Sequence, residues 1–350
     1  IGIHNVTDEM KSGMFHRLNF GELKICGGTW HTRFEFEISG IVESRSARVS
    51  IEGIGDVVID GNHEGRLITV GDGVHELELT NLILHQGAAE RGAAIHANEL
   101  ELELKNVRFS DNNSWGPGGA IHINAGSVEM NEVEFDRNVS NGHGAHGGAI
   151  WMNTGDIVGV DTLFDRNEAS GMANGGAIFM MDGSVTLETT ELVDNVASYK
   201  GGAIAIHSGD LSLDTSEVFD NRASFGGGIY VGGNVDLRGT KVSSNQADVG
   251  AGLYLEDVEG WQFLTCIGDE IDQAGFTLNR AEIRGGAIYI EQGLGSTWES
   301  DGCDWGVGLT DNGPEDIDSP VHSYDVGEDA TFSCTNYWCD GLISSVPSPH

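Results

Sequence analysis

The sequence is poor in basic residues. It holds 18 lysines and arginines against 55 aspartates and glutamates, which gives a formal net charge of -37. A surface this acidic repels phosphate backbones and anionic lipid headgroups, which argues against nucleic acid and acidic membranes as partners. Three explanations for the charge stay open: solubility at high salt, binding of divalent cations, and plain colloidal stability.

Long apolar runs and helical spacing are also missing. No stretch approaches the roughly 18 apolar residues that a transmembrane helix needs, so no transmembrane segment is predicted. Proline is rare, at 5 residues, whereas glycine reaches 52. Because the glycines fall mostly at turns, their excess does not indicate a disordered tract. We therefore expect a folded chain of short strands and tight turns.

What the sequence has in quantity is a repeat. The string Gly-Gly-Ala-Ile begins at Gly118, Gly147, Gly175 and Gly201, and four variants extend the series. Ahead of each string stands a large apolar residue, then two residues, then asparagine. The closing residue of the string recurs every 24 to 29 residues, with one step of 35. The eight units close at Ile95, Ile121, Ile150, Ile178, Ile204, Ile229, Leu253 and Ile288.

The apolar spacing within a unit is that of short strands. Ile121 and Ile123 flank one polar residue, as do Val128 and Met130. Apolar residues two apart indicate strands with one buried face. A coil of two or three such strands cannot bury its inner face alone, but stacked coils share one core. The sequence therefore predicts an all-β fold, a single parallel β-helix, and the rule for parallel crossovers makes it right-handed.

Both repeated strings have physical reasons. The glycine pair allows a sharp turn, through positive φ or through close approach of another backbone. The asparagine amide, if it points inward, can bond turn backbone and the asparagine one coil above. We therefore predict an asparagine ladder, and we expect Asn112 and Asn138 to be buried although each begins a glycosylation sequence.

The two strings, recurring in register, resemble the polymorphic outer-membrane protein (Pmp-like) repeat of bacterial surface adhesins and large secreted β-helix proteins. The resemblance covers roughly residues 92–290. It implies a right-handed parallel β-helix that is secreted or held at the surface of a bacterium. It carries no shared catalytic residues, so it does not define an activity.

Three regions follow from where the repeat begins and ends. Residues 1–33 are predicted to be an N-terminal lead-in or cap, 34–290 the β-helix, and 291–350 a C-terminal cap and tail. Five cysteines near the ends suit disulfide-stapled caps in an oxidising compartment. Cys334 and Cys339 are close enough in sequence to close a small loop. The other three leave one pair and one free thiol, with the connectivity open.

The residue after each repeat isoleucine forms a second series. In chain order it is His96, His122, Trp151, Phe179, Ala205, Tyr230, Tyr254 and Tyr289. If the isoleucines point inward, these side chains point outward, about 4.8 Å apart from coil to coil. One interpretation is an exposed aromatic strip that binds sugar rings or a protein partner. The other is structural: ring stacking favours aromatic residues there, or a loop covers them.

Paired charges form a third series. Asp136 and Arg137 in one coil match Asp165 and Arg166 in the next. Two carboxylates a few ångströms apart can act as acid and base in the cleavage of a polysaccharide. The alternative is a set of ion pairs, and a pair that repeats with the coil looks structural.

A calcium site is the one cofactor that the sequence suggests. Oxygen ligands crowd one turn near the C-terminal end, and such density suits Ca²⁺, although a solvated acidic loop has the same composition. The predicted ligands are Asp311, Asn312, Glu315, Asp316 and Asp318.

We therefore expect an extracellular or cell-surface protein with an adhesive or structural, non-enzymatic role and a surface polysaccharide or a protein as partner. Two alternatives stay open: a polysaccharide lyase or hydrolase acting through the stacked carboxylates, and a self-assembling structural subunit of a surface assembly.

Overall fold

The fold is a parallel β-solenoid of about eight turns in a computed structural model, and the residues that the structure describes are all-β, without helix. The structure describes residues 21–31, 36–38, 47–71, 73–142, 144–256, 263–268, 274–291, 297–301, 303–305, 311–313, 317–318, 323–324, 332–335 and 338–341. This confirms the fold class predicted from the repeat. Nothing in the described ranges is a helix that could cross a membrane.

Most strands belong to one sheet that winds around the solenoid. Its 25 strands are Gly21–His31, Phe36–Ile38, Ala47–Asp60, Ile68–Val70, Val74–His85, Ile95–Ser110, Ile121–Asp136, Ile150–Val160, Leu163–Asp165, Ile178–Glu188, Glu191–Val193, Ile204–Asp214, Glu217–Phe219, Ile229–Val231, Val235–Arg238, Lys241–Ser243, Leu253–Leu255, Phe263–Ile267, Gly275–Thr277, Ile288–Ile290, Thr297–Asp301, Ile317–Asp318, Ser323–Tyr324, Phe332–Thr335 and Trp338–Gly341.

A narrower face completes each turn after the asparagine. Five very short strands form one sheet there: Ala88–Ala89, Asn113–Ser114, Val139–Ser140, Glu168–Ala169 and Val196–Ala197. Two more pair further along the axis: Gln246–Val249 and Arg280–Arg284.

The register follows the repeat as predicted. Ile150 pairs with Ile121 on one side and Ile178 on the other, so equivalent residues lie directly above one another. Side chains two apart therefore stack into continuous inner rows. In one such row the rings of Phe109, Phe135 and Phe164 lie parallel, with centroids 4.7 and 4.8 Å apart. All three are fully buried.

The two glycines of a string are required for different physical reasons, and the sequence predicted both. The first glycine is in the left-handed region, with φ of +64° at Gly147 and +67° at Gly175. The second glycine lies against the backbone of the next turn: a Cβ on Gly148 would stand 2.0 Å from the Gly176 carbonyl oxygen. A side chain on Gly148 would therefore require the backbone of the next turn to shift, although two of the eight strings carry alanine at this position, Ala93 and Ala251.

The asparagine ladder is present. In each step the backbone N–H and the Nδ2 of one asparagine both donate to the Oδ1 of the next. Asn138 Nδ2 lies 3.0 Å from Asn167 Oδ1, and Asn167 Nδ2 lies 3.0 Å from Asn195 Oδ1. The members, all buried, are Asn112, Asn138, Asn167, Asn195, Asn221, Asn245, Asn279 and Asn312.

The parallel pairing extends past the predicted β-helix limits on both sides. Within the predicted lead-in, Gly21–His31 pairs in parallel with Ala47–Asp60. Beyond residue 290, Thr297–Asp301 pairs in parallel with Phe263–Ile267 and antiparallel with Phe332–Thr335. The three predicted regions stay a prediction.

One disulfide staples the C-terminal turns. Cys266 and Cys303 are bonded, with Cα atoms 6.2 Å apart and a sequence separation of 37. Cys334 and Cys339 are backbone partners in an antiparallel pair. Their side chains lie outside the described part of the chain, so their disulfide stays a prediction.

Candidate functional site

The four residues predicted as an alternative catalytic set do come together, around a buried carboxylate. Asp136 has 1% of its side chain exposed and accepts from three guanidinium groups. Arg108 donates over 2.7 Å, Arg137 over 2.9 Å and Arg166 over 3.1 Å. These arginines come from three successive turns, so the cluster staples the turns together.

The outer carboxylates complete the cluster. Asp111 accepts from Arg137 Nε at 2.9 Å, and Asp165 accepts from Arg166 at 2.5 Å. The hydrogen bond from Arg137 holds the pKa of Asp111 below its usual value. In turn, Asp111 raises the pKa of Arg137, and Asp165 raises that of Arg166. Each of the three carboxylates thus lies beside a guanidinium, which is the arrangement of an ion-pair network.

The aromatic row is stacked as predicted, but most of it is not exposed. His122, Phe179, Tyr230 and Tyr254 are buried. The rings of His122 and Trp151 stack at 4.3 Å, and those of Tyr230 and Tyr254 at 4.9 Å. An outward direction was therefore no guide to exposure. Trp151 and Tyr289 are only partly buried.

A second layer covers part of the row, and it includes residues that come just before the glycine string of a turn. His146 stacks on Phe179 at 4.8 Å, and Phe225 meets Tyr254 edge-on at 5.7 Å. Each covering residue lies on the aromatic residue of the following turn. The burial favours the structural interpretation of the row, while ligand binding through His122, Trp151, Phe179, Tyr230, Tyr254 and Tyr289 stays a prediction.

A polar cluster at the edge of this row was missed by the sequence reasoning. Lys200 is the covering residue of Tyr230: its Nζ bonds the tyrosine oxygen, lies 4.2 Å from the ring centre and reaches Glu256 at 3.0 Å. Burial, and then the bond to Glu256, raise the pKa of Tyr230. The one signal in the sequence was Ala205, which interrupts the aromatic series next to this lysine.

The stacked histidines make stability depend on pH. Burial lowers the pKa of His122 to about 3, and its Nδ1 has no hydrogen-bond partner within the described chain. In the unfolded chain His122 has an ordinary pKa of about 6.5, so below that pH it is protonated there but stays neutral in the folded chain. The free energy of unfolding therefore falls as pH falls.

We expect His122→Phe to reduce this loss, because phenylalanine keeps the stacking and does not titrate. Between pH 7.5 and 5.5 the variant should lose about 1 kcal/mol less of its unfolding free energy than the wild type. Urea unfolding of both proteins at the two pH values measures this difference. Both pH values lie above the isoelectric point of about 4.4. His207→Phe, at an exposed histidine, is the control and should lose as much as the wild type.

The predicted calcium turn is only partly described. Asn312 is the last ladder member: its Oδ1 accepts from Asn279, and its Nδ2 donates to Phe276 and Trp305 carbonyls, each at 2.7 Å. Its amide makes these hydrogen bonds inside the core, and its role as a calcium ligand stays a prediction. Asp311 is exposed.

The remaining predicted ligands, Glu315, Asp316 and the side chain of Asp318, lie outside the described residues. Nowhere within the described ranges do three His, Cys, Asp or Glu side chains gather as metal ligands do. Calcium binding therefore stays a prediction.

A groove runs along the narrow face, over the short strands that follow the asparagine ladder. It has a volume of about 860 Å³ and spans four successive turns. Its outward residues include Arg222, Gln246 and Arg280, which stack in parallel register. Sequence reasoning missed this row because it examined the aromatic series and the Asp-Arg pairs. The signal available was the residue directly after each ladder asparagine.

Neither a protein-family model, nor a curated protein, nor a solved structure matches this chain.

Proposed function

We propose that this protein is a non-enzymatic adhesive or structural protein of the bacterial exterior, displaying ligand-binding faces on a rigid solenoid. The observation that carries the proposal is the state of Asp136. This carboxylate, a member of the predicted catalytic set, is buried and paired with the guanidinium groups of Arg108, Arg137 and Arg166.

The regular interior supports the same proposal. The asparagine ladder continues from turn to turn between Asn112 and Asn312, and no step in it is missing. Buried hydrogen-bonded rows make stiff interiors, which suits a protein that holds a binding face away from a cell. An exterior location is supported by the Cys266–Cys303 disulfide, since such bonds persist in oxidising compartments.

A polysaccharide panel tests the proposal. The wild-type protein, with calcium or with a chelator, should produce no new chain ends from neutral or acidic polysaccharides, and it should be retained on at least one of them.

Asp136→Asn should leave this retention unchanged and lower the unfolding free energy by about 2 kcal/mol, since charged hydrogen bonds to the arginines are lost. Cleavage by the wild type that disappears in a folded Asp136→Asn or Asp165→Asn variant would establish the enzyme alternative. Neither cleavage nor retention, together with self-association in sedimentation, would favour the assembly subunit.

A further inference from the structure

The groove on the narrow face has a floor of small residues between two rows of longer side chains. In each turn a buried alanine forms the floor, which leaves the space above the strands open. The floor residues are Ala197, Ala223, Ala247 and Ala281. One wall carries Arg222, Gln246 and Arg280, and the other carries Asp248 and Glu282. The two arginines are two turns apart, about twice the 4.8 Å spacing of adjacent strands.

The groove arginines differ from most of the other basic residues in having no carboxylate partner within the described part of the chain. Among the described residues, neither Arg222 nor Arg280 makes an ion pair within 4.0 Å. Lys241, in the same turn as Gln246, does pair with a glutamate. In a chain of net charge -37, an arginine that could reach a carboxylate is expected to do so. Two exposed guanidinium groups in one row are therefore available to a ligand from outside.

We infer that the groove binds an acidic polysaccharide, one that carries carboxylate or sulfate groups along an extended chain. The inference rests on the proposed adhesive function and names its ligand class. Arg222 and Arg280 would each take an anionic group, because guanidinium matches carboxylate and sulfate geometry with two parallel bonds. Asp248 and Glu282 would accept hydrogen bonds from sugar hydroxyls. Gln246, which lies between the two arginines, can donate or accept a hydrogen bond.

The groove has one basic and one acidic wall, and this combination favours an acidic polysaccharide over a nucleic acid as the ligand. A nucleic acid presents phosphates closely spaced along its backbone, and the acidic wall and the net charge repel them. A sugar chain offers hydroxyl donors between its anionic groups. It can therefore use the carboxylates of Asp248 and Glu282 as well as the two arginines.

The experiment compares three dextran matrices that share one backbone: neutral dextran, carboxymethyl-dextran and dextran sulfate. Retention is measured at about 0.15 M salt, where charges beyond about 8 Å are screened. The protein should be retained on one or both charged matrices and not on neutral dextran. Because the whole chain is repelled by these polyanions, retention requires a local basic site.

Arg222→Gln and Arg280→Gln should each weaken the affinity for the charged matrix about tenfold. The double variant should not be retained and should elute in the void volume. Lys241→Gln is the matched control, since it removes one positive charge from the neighbouring face and should bind as the wild type does. Thermal unfolding of each variant checks that the fold is intact.

Equal retention of the wild type and the folded double variant would place the binding elsewhere and overturn the inference, leaving an adhesive function in place. Passage of the wild type through both charged matrices would also overturn it. Cleavage of any matrix would contradict the proposed function instead, so the two failures are distinguishable.

Discussion

Gly176→Ala will disrupt the stack of turns, with a loss of unfolding free energy above about 4 kcal/mol. A Cβ at this position would lie 1.9 Å from the Gly202 carbonyl oxygen and 2.7 Å from backbone atoms of Val196. Overpacking typically costs about 1–3 kcal/mol because side chains can move aside. Here every close atom belongs to the backbone, so the turns themselves must separate.

The separation would lengthen bonds that join the turns. Gly176 donates to Gly201 at 3.1 Å and Ala177 donates to Ala203 at 2.9 Å. Guanidinium chloride unfolding followed by circular dichroism measures the loss. Gly65→Ala is the control, because an added Cβ there has no atom within 4 Å, and it should change stability by no more than about 0.5 kcal/mol. A midpoint for Gly176→Ala equal to that of the control would show that the turns are not in this close contact.

The features that the sequence predicted well are those that repeat with the turn. The inward positions of Ile121 and Ile123, the close approach at Gly148 and the ladder through Asn138 each depend on a string that recurs in register. In a solenoid the neighbour of any residue is its own equivalent one turn away. A local string therefore determines a long-range contact, which is rarely so in other folds.

The features that the sequence did not predict depend on contacts between residues that occupy different positions of the repeat in neighbouring turns. Burial of Phe179 follows from His146, which belongs to the preceding turn and to another position of the repeat. Burial of Asp136 follows from Arg108 and Arg166, which reach it from the turns on either side. Alternation within a strand gives the direction of a side chain, but not what lies over it. Candidate sites were therefore less predictable than the fold.

Loss of one asparagine of the ladder is expected to destabilise the solenoid strongly. Asn167→Ala should lower the unfolding free energy by about 4 kcal/mol. The substitution removes four buried hydrogen bonds: two from Asn138 to Asn167 Oδ1, and two from Asn167 Nδ2 to Asn195 Oδ1 and the Phe135 carbonyl. Each buried polar group left without a partner costs about 1–3 kcal/mol, and partial collapse of the cavity recovers some of the sum.

An exposed pair of the same chemistry provides the control for this prediction. Asn124 Nδ2 donates to Asn98 Oδ1 at 2.9 Å on the surface, where water can replace the bond. Asn98→Ala should therefore cost less than about 1 kcal/mol, and urea unfolding of both variants and the wild type measures the two losses. A comparable loss from both substitutions would mean that burial of the ladder is not what makes it stabilising. A large loss confined to Asn167→Ala would explain why asparagine recurs once in each turn, since glutamine is too long for the position and aspartate lacks the donor that each step requires.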